Sequence, residues 1–207
     1  MNNIEKLLSI SSDELCTNIS PSEDKNNHLK NQLFNILKIK NGFYAFEGAL
    51  HFFPENSYQE EIGLHDWNNS NVWIDHYEQK IEDTIFFAED IFGCQFCIHS
   101  NKIYSFDPET ITFDYLSDDF EGWAEQILND YNVLTGYSLG KEWQEENGKL
   151  GINERLVPII PFVLGGEYEV SNLHSIDRIK GMRLRAEIAN QISSIPDGSN
   201  VQFTLGK

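Results

Sequence analysis

Arginine is missing from the first three quarters of this 207-residue chain: the first is Arg155. Cysteine is scarce, with three residues in all, and no apolar run reaches the ~18 residues a membrane helix needs. The opening segment, MNNIEKLLSISSDELC, has neither the basic start nor the apolar stretch of a signal peptide. An odd, small number of thiols without an export signal fits reduced cysteines, and a cytoplasmic location is expected.

Motifs that carry chemistry are missing too. The six histidines (His28, His51, His65, His76, His99 and His174) show neither H-x-x-x-H nor H-x-H spacing, so no metal pair is expected. His65-Asp66 and Asp75-His76 pair a base with a carboxylate, yet no G-x-S-x-G nucleophile accompanies them, and exposed polar histidines are the simpler reading. Gly165-Gly166 is a lone pair without the Lys and Ser or Thr of a phosphate loop, so it reads as a turn. Cys94-Gln95-Phe96-Cys97 is a C-x-x-C on a strand candidate. There, residues i and i+3 face opposite ways, which favours core packing over redox work. Asp118-Asp119-Phe120-Glu121-Gly122 lacks the alternating ligands of a calcium loop and reads as a helix cap. No cofactor is expected.

What is present is acid. Asp and Glu number 33 against 15 Lys and Arg, a formal net charge of −18. Between Tyr44 and Asp130 there are 19 acidic residues and only two cations, Lys80 and Lys102, whereas from Lys141 onward nine acids meet eight cations. A field concentrated in that way repels nucleic acid and anionic lipid and attracts basic partners. Paired carboxylates (Glu60-Glu61, Glu82-Asp83, Glu89-Asp90) leave a carboxylate-dependent hydrolase as a remote alternative.

The elements sort as follows. Short helices are expected around Ile4–Leu8 and over Leu29–Ile39, the second stopped by Asn41-Gly42. The aromatic run from Phe43 to Phe53, broken at Gly48, suggests two short strands. Ser70 is placed to cap a helix through Val72, Trp73, Ile74 and Tyr77. The organising stretch runs from Ile85 to Tyr131. It comprises a strand over Ile85–Ala88, a turn at Glu89–Gly93, a hairpin of Cys94–His99 and Ile103–Asp107 about Ser100-Asn101-Lys102, a turn at Asp107-Pro108 and a strand over Ile111–Leu116. A helix follows with Phe120, Trp123, Ala124, Ile127, Leu128 and Tyr131 on one face and Asp118 as cap. A further short helix carries Trp143. Pro158 and Pro161 make Leu156–Leu164 an edge strand or extended segment. A strand is expected over Glu167–Val170, with Ser171 or Asn172 capping a helix that reaches Arg183–Ile195. A Pro196-Asp197-Gly198 turn and a strand through Val201, Phe203 and Leu205 close the chain. The fold class is α+β: one domain over residues 1–207, mostly antiparallel sheet packed by helices, with a core at 29–135 and a helix–strand extension at 136–207.

Aromatics interleave with the acids at Tyr58, Trp67, Trp73, Tyr77, Phe92 and Trp123. Aromatic anchors with a charged rim describe a protein-binding surface. Trp123 reads as core, whereas Trp67, among Asp66, Asn68 and Asn69, reads as an exposed anchor. The partner-contacting set is therefore placed at Glu60, Glu61, Asp66, Trp67, Asp75 and Glu78.

The helix ending in Asn41-Gly42, the aromatic strands leading to Phe52-Phe53-Pro54, the hairpin bearing Ile103-Tyr104-Ser105-Phe106-Asp107 and the helix with Gly122-Trp123 together resemble the SMI1/KNR4 superfamily, also called SUKH. The resemblance covers roughly residues 30–135. The tail, PFVLGGEYEVSNLHSID and the helix after it, is similar to C-terminal pieces of bacterial immunity proteins. The resemblance implies an α+β fold without catalytic residues and an immunity protein that neutralises a cognate toxin, often a nuclease. A basic toxin domain is the implied partner, with neither nucleic acid nor membrane. A non-enzymatic scaffold of the same fold is the alternative.

Overall fold

Chain-neighbour pairing builds the central sheet. In the computed structural model, which describes residues 1–17, 27–193 and 195, six strands lie side by side in sequence order, each antiparallel to the next. They are β1 (Phe43–Ala45), β2 (Leu50–Phe52), β3 (Thr84–Asp90), β4 (Gln95–His99), β5 (Lys102–Asp107) and β6 (Thr112–Ser117). Local turn chemistry sets the tight connections. Ser100 and Asn101 both take positive φ, as a two-residue hairpin loop between twisted strands requires. Asp107 Oδ1 accepts the Glu109 N–H at 2.8 Å and fixes the following turn.

The first face of the sheet is covered by α1 (Asn3–Ile10), α2 (His28–Ile39) and α4 (Phe120–Asn129). Trp123 of α4 is fully buried and meets Phe52, Phe87 and Phe96 edge-on or tilted. Phe120, Ala124 and Ile127 are buried with it, as the spacing predicts; Leu128 and Tyr131 are only half-buried. The cap shifts by one residue: Asp119 accepts the Gly122 N–H at 2.8 Å, and Glu121 accepts the Asn3 N–H at 2.9 Å, tying α1 to α4.

The second face is covered by the segment after β2, which includes α3 (Leu64–Trp67), and by the C-terminal α7 (Arg178–Ile192). The helix expected after Ser70 does not form. Trp73 leaves the helical region (φ −153°, ψ −26°), the Ser70 hydroxyl donates to the Asp75 side chain at 2.9 Å, and only a 3-10 turn at Ile74–His76 remains. Between α4 and α7 lie α5 (Tyr131–Thr135), α6 (Tyr137–Asn147) and a two-stranded sheet of β7 (Glu154–Pro158) and β8 (Leu173–Asp177). Here β8 starts at Leu173 rather than Glu167, and the α7 cap is Asp177, whose Oδ1 accepts the Lys180 N–H at 2.9 Å. The turn expected at Pro196-Asp197-Gly198 and the strand through Val201, Phe203 and Leu205 lie outside the described residues. Among the described residues no helix is long and apolar enough to cross a membrane.

The capping assignment separates two adjacent aspartates. Asp119→Ala is expected to cost about 1 kcal/mol. Asp118→Ala, which removes an exposed ion pair with Lys102 and an exposed hydrogen bond with Tyr115, is expected to leave the urea midpoint nearly unchanged.

Candidate functional site

One row of side chains crosses the whole sheet on its second face. Tyr44, His51, Glu89, Gln95, Phe106 and Phe113 are successive cross-strand partners from β1 to β6. Directly paired residues share a face, so four polar side chains lie in line at the β1–β4 end. On the alternation alone they read as a water-facing row. The structure buries His51, Glu89 and Gln95 completely.

The cover comes from the far end of the sequence. Arg155 of β7 places Nη2 2.7 Å from Glu89 Oε1, an ion pair whose angle misses hydrogen-bond alignment. Arg178, at the start of α7, places Nη1 3.1 Å from the same oxygen and 2.9 Å from His51 Nδ1. Its Nη2 donates to the Ile152 carbonyl and, at 3.3 Å, to the Tyr44 hydroxyl. Tyr44 in turn donates to Glu61 Oε1 at 2.9 Å. Two guanidiniums and two carboxylates thus neutralise one another around an imidazole. Arg185, two turns further along the same face of α7, sits with Nε 3.7 Å from buried Glu109. Gly93, at φ +81°, leaves it room: a Cβ there would stand 2.8 Å from Arg185 Nη1.

The ionisation behaviour follows from burial and charge. Burial opposes ionisation of Glu89, but Arg155, Arg178 and the His51 hydrogen bond outweigh it and hold the carboxyl below its ordinary range. Burial, reinforced by Arg178, pushes His51 down to about 3, so the ring is neutral. Burial pushes Asp90 up to about 7, although Arg185 and the N–H groups of Cys94 and Phe92 oppose the shift. Glu61 is raised by burial.

Two cavities flank this cluster. The larger, about 540 Å³, is lined by Tyr44, Phe46, Glu47, Ile91, Leu150 and Arg155 among others. The smaller, about 280 Å³, is lined by Glu60, Glu61, Asp66, Asn153, Asp177 and Arg178 among others. Tyr44 lines one and Glu61 the other, so their hydrogen bond stands between them. No group of three or more His, Cys, Asp or Glu among the described residues is arranged to hold a metal ion.

The contact set expected from the sequence divides. Glu60 and Asp66 are exposed on the rim of the smaller cavity, with Asp66 accepting from the Ser57 hydroxyl. Glu61 lines the same cavity but is buried and engaged by Tyr44. Asp75 and Glu78 are exposed but do not line it; the Glu78 N–H donates to Asn190 Oδ1 at 2.9 Å, further along α7. Trp67 is not an exposed anchor. It is fully buried, ring-stacked on Phe53 and tilted against Trp73, and its Nε1 donates to Gln95 Oε1 at 2.8 Å. Of the six interleaved aromatics only Tyr58 remains exposed: Trp67, Trp73 and Tyr77 close over the second face of the sheet, Trp123 packs on the first, and Phe92 joins a smaller cluster with Trp143 and Leu156. Glu89 likewise belongs to β3 rather than to a turn, while His65 and His76 are exposed as expected. Cys97 is buried as core; Cys94 is partly covered, and both are free thiols.

No protein-family model and no curated protein matches the chain. Among solved structures, one similar in fold is the crystal structure of Atu4351 from Agrobacterium tumefaciens. The TM-score is 0.57, with 13% identity over 88% of this chain and 87% of that one. At that identity the likeness is one of fold alone.

Removing one partner of the buried cluster leaves the other charge uncompensated, so Glu89→Gln or Arg178→Met is expected to cost about 3–5 kcal/mol in urea unfolding. The neutral His51 has a pH signature. Below about pH 6.5 the unfolded chain protonates this ring and the folded chain does not until about 3, so the contribution is present at neutral pH and is lost as pH falls. His51→Asn is expected to reduce the slope of stability against pH between 6 and 4 by about 1.4 kcal/mol per pH unit, one proton's worth. An unchanged slope would place a charged imidazole in the cluster.

Proposed function

We propose that the chain is a non-enzymatic binding protein that neutralises a basic toxin domain through its acidic surface. What carries this reading is the direction in which the arginines point. All four arginines of the chain are engaged internally: Arg155, Arg178 and Arg185 are buried near carboxylates, and Arg183 Nε donates to the Val72 carbonyl at 2.8 Å. The forked donors best suited to phosphate or carboxylate are therefore committed inside the fold. Outside, between Tyr44 and Asp130, exposed acids including Glu60, Asp66, Asp75, Glu78, Glu82 and Asp83 meet only Lys80 and Lys102. Such a surface repels nucleic acid and steers a cationic protein into encounter.

The smaller cavity supports the same reading at the scale of one side chain. Glu60 and Asp66 stand at its rim with Asp177, and an incoming Lys or Arg fits their charge. The resemblance of roughly residues 30–135 to the SUKH superfamily, whose bacterial members are immunity proteins, agrees with that assignment, and a toxin that cuts nucleic acid has the basic active surface this field complements.

Affinity capture from the native cell, with wild type and the Glu60→Lys/Asp66→Lys variant, tests the proposal. A single basic protein is expected, toxic when produced alone and tolerated when this chain is co-produced. Its association rate is expected to fall about tenfold or more between low and high salt, and charge reversal is expected to weaken it by a similar factor. A salt-indifferent association, or a captured partner without toxicity, would sink the reading.

A further inference from the structure

The segment between β7 and β8 holds the densest run of exposed apolar side chains in the described protein. Ile159, Ile160, Val163 and Tyr168 are 63%, 55%, 40% and 67% exposed, and they account for four of the eleven large hydrophobics that stay outside among the described residues. Ten consecutive positions contain all four.

The loop is built, not slack. The Ile159 N–H donates to the Asn172 carbonyl at 2.7 Å, and the Ile160 N–H donates to Asn172 Oδ1 at 2.9 Å. Asn172 Nδ2 donates back to the carbonyls of Ile160 and Glu167, each at 3.0 Å. One side-chain amide therefore clamps both ends. The Gly166 N–H closes the turn onto the Pro161 carbonyl at 3.1 Å, and any Cβ at Gly166 would lie 1.9 Å from the Ile160 oxygen. Phe162 stacks flat on Tyr168 at 4.0 Å and meets Phe92 edge-on. The Val163 N–H donates to Glu109 Oε2 at 3.2 Å, the same Glu109 that faces Arg185. A backbone held this way loses little freedom on association, so burial of its side chains against a partner converts more efficiently into affinity.

The charge around the loop selects the occupant. Residues 156–173 contain no Lys or Arg, and Glu167 and Glu169 flank Tyr168 in the open. Partial burial, followed by Cys94 and the neighbouring acids Asp107 and Glu109, pushes the Tyr168 phenol up and keeps it protonated. A second copy of this chain, itself at −18, is repelled.

We infer that the loop of residues 159–168 is a preformed docking knob that seats in an apolar socket rimmed by Lys or Arg on the basic partner. The inference rests on the reading of the chain as a binder of a basic protein, and it adds an apolar anchor apart from the Glu60–Asp66 cavity.

Three synthetic peptides test it by amide chemical-shift mapping on the full chain: one of Leu and Lys, one of Ser and Lys, and one of Leu and Glu. The Leu–Lys peptide is expected to perturb Ile159, Ile160, Val163 and Tyr168, and the Ile160→Ser/Tyr168→Ser variant to weaken it about tenfold or more. Both sites are exposed, so an unchanged thermal midpoint verifies the fold of the variant. The Leu–Glu peptide is expected not to bind. Leu–Lys affinity indifferent to the variant overturns the inference, as does equal binding of the Leu–Glu peptide. So does a wild-type dimer, seen by sedimentation, that the variant dissociates. The Ser–Lys peptide reports on the other reading separately: salt-sensitive shifts at Glu60 and Asp66, kept in the loop variant, support the acidic surface even where the knob fails.

Discussion

A carboxylate in the middle of a sheet is tolerable only if something positive is brought to it, and Glu89 is such a carboxylate. It is fully buried, with Arg155 and Arg178 at 2.7 and 3.1 Å from one oxygen. An isolated ion there would cost several kcal/mol in lost hydration, so the pairing with both guanidiniums is a condition of the fold rather than an ornament on it. Much else is arranged to meet that condition. β7 lies where Arg155 can reach, the Leu156 N–H donates to the Ile91 carbonyl at 2.9 Å beside it, and α7 starts with Arg178 against the sheet. The C-terminal third is thereby attached by charge as well as by Met182, Ala186 and Ala189, which join the main core.

This accounts for the uneven charge of the chain in a way that surface reasoning alone does not. Five of the nineteen acids between Tyr44 and Asp130 are buried: Glu55, Glu61, Glu89, Asp90 and Glu109. Three of them face arginines that come only after residue 154. The segregation of acids and arginines along the sequence is therefore partly an internal complementarity, and only the remaining exposed acids contribute to the field a partner meets.

The sheet and most helices were legible because local rules determine them. Ser100-Asn101 can only be a tight hairpin between two apolar runs, and the Phe120–Ile127 spacing can only be a helix face. The cluster was not legible, because the same alternation that identifies a strand assigns its polar residues to water. Tyr44, His51, Glu89 and Gln95 look like the wet side of a sheet until a cover 66 or more residues beyond Glu89 is placed over them, and no local pattern contains that placement. Trp67 was misplaced for a related reason: its polar neighbours Asp66 and Asn68 describe its own turn of chain, while Phe53, Trp73 and Gln95 decide its burial. The one available hint was the confinement of every arginine to the last third, next to the acid excess.

The order in which the lock closes follows the order in which its parts are synthesised. A ribosome finishes β1 to β6 before it reaches Arg155, and α7 emerges last of the described elements. Until then Glu89 and His51 remain hydrated, which costs nothing; the penalty of burial begins only when the cover that relieves it arrives. A nascent chain can thus hold its half-made sheet in water without a stranded charge, and the closing of the cover draws its driving force from segments synthesised after the sheet.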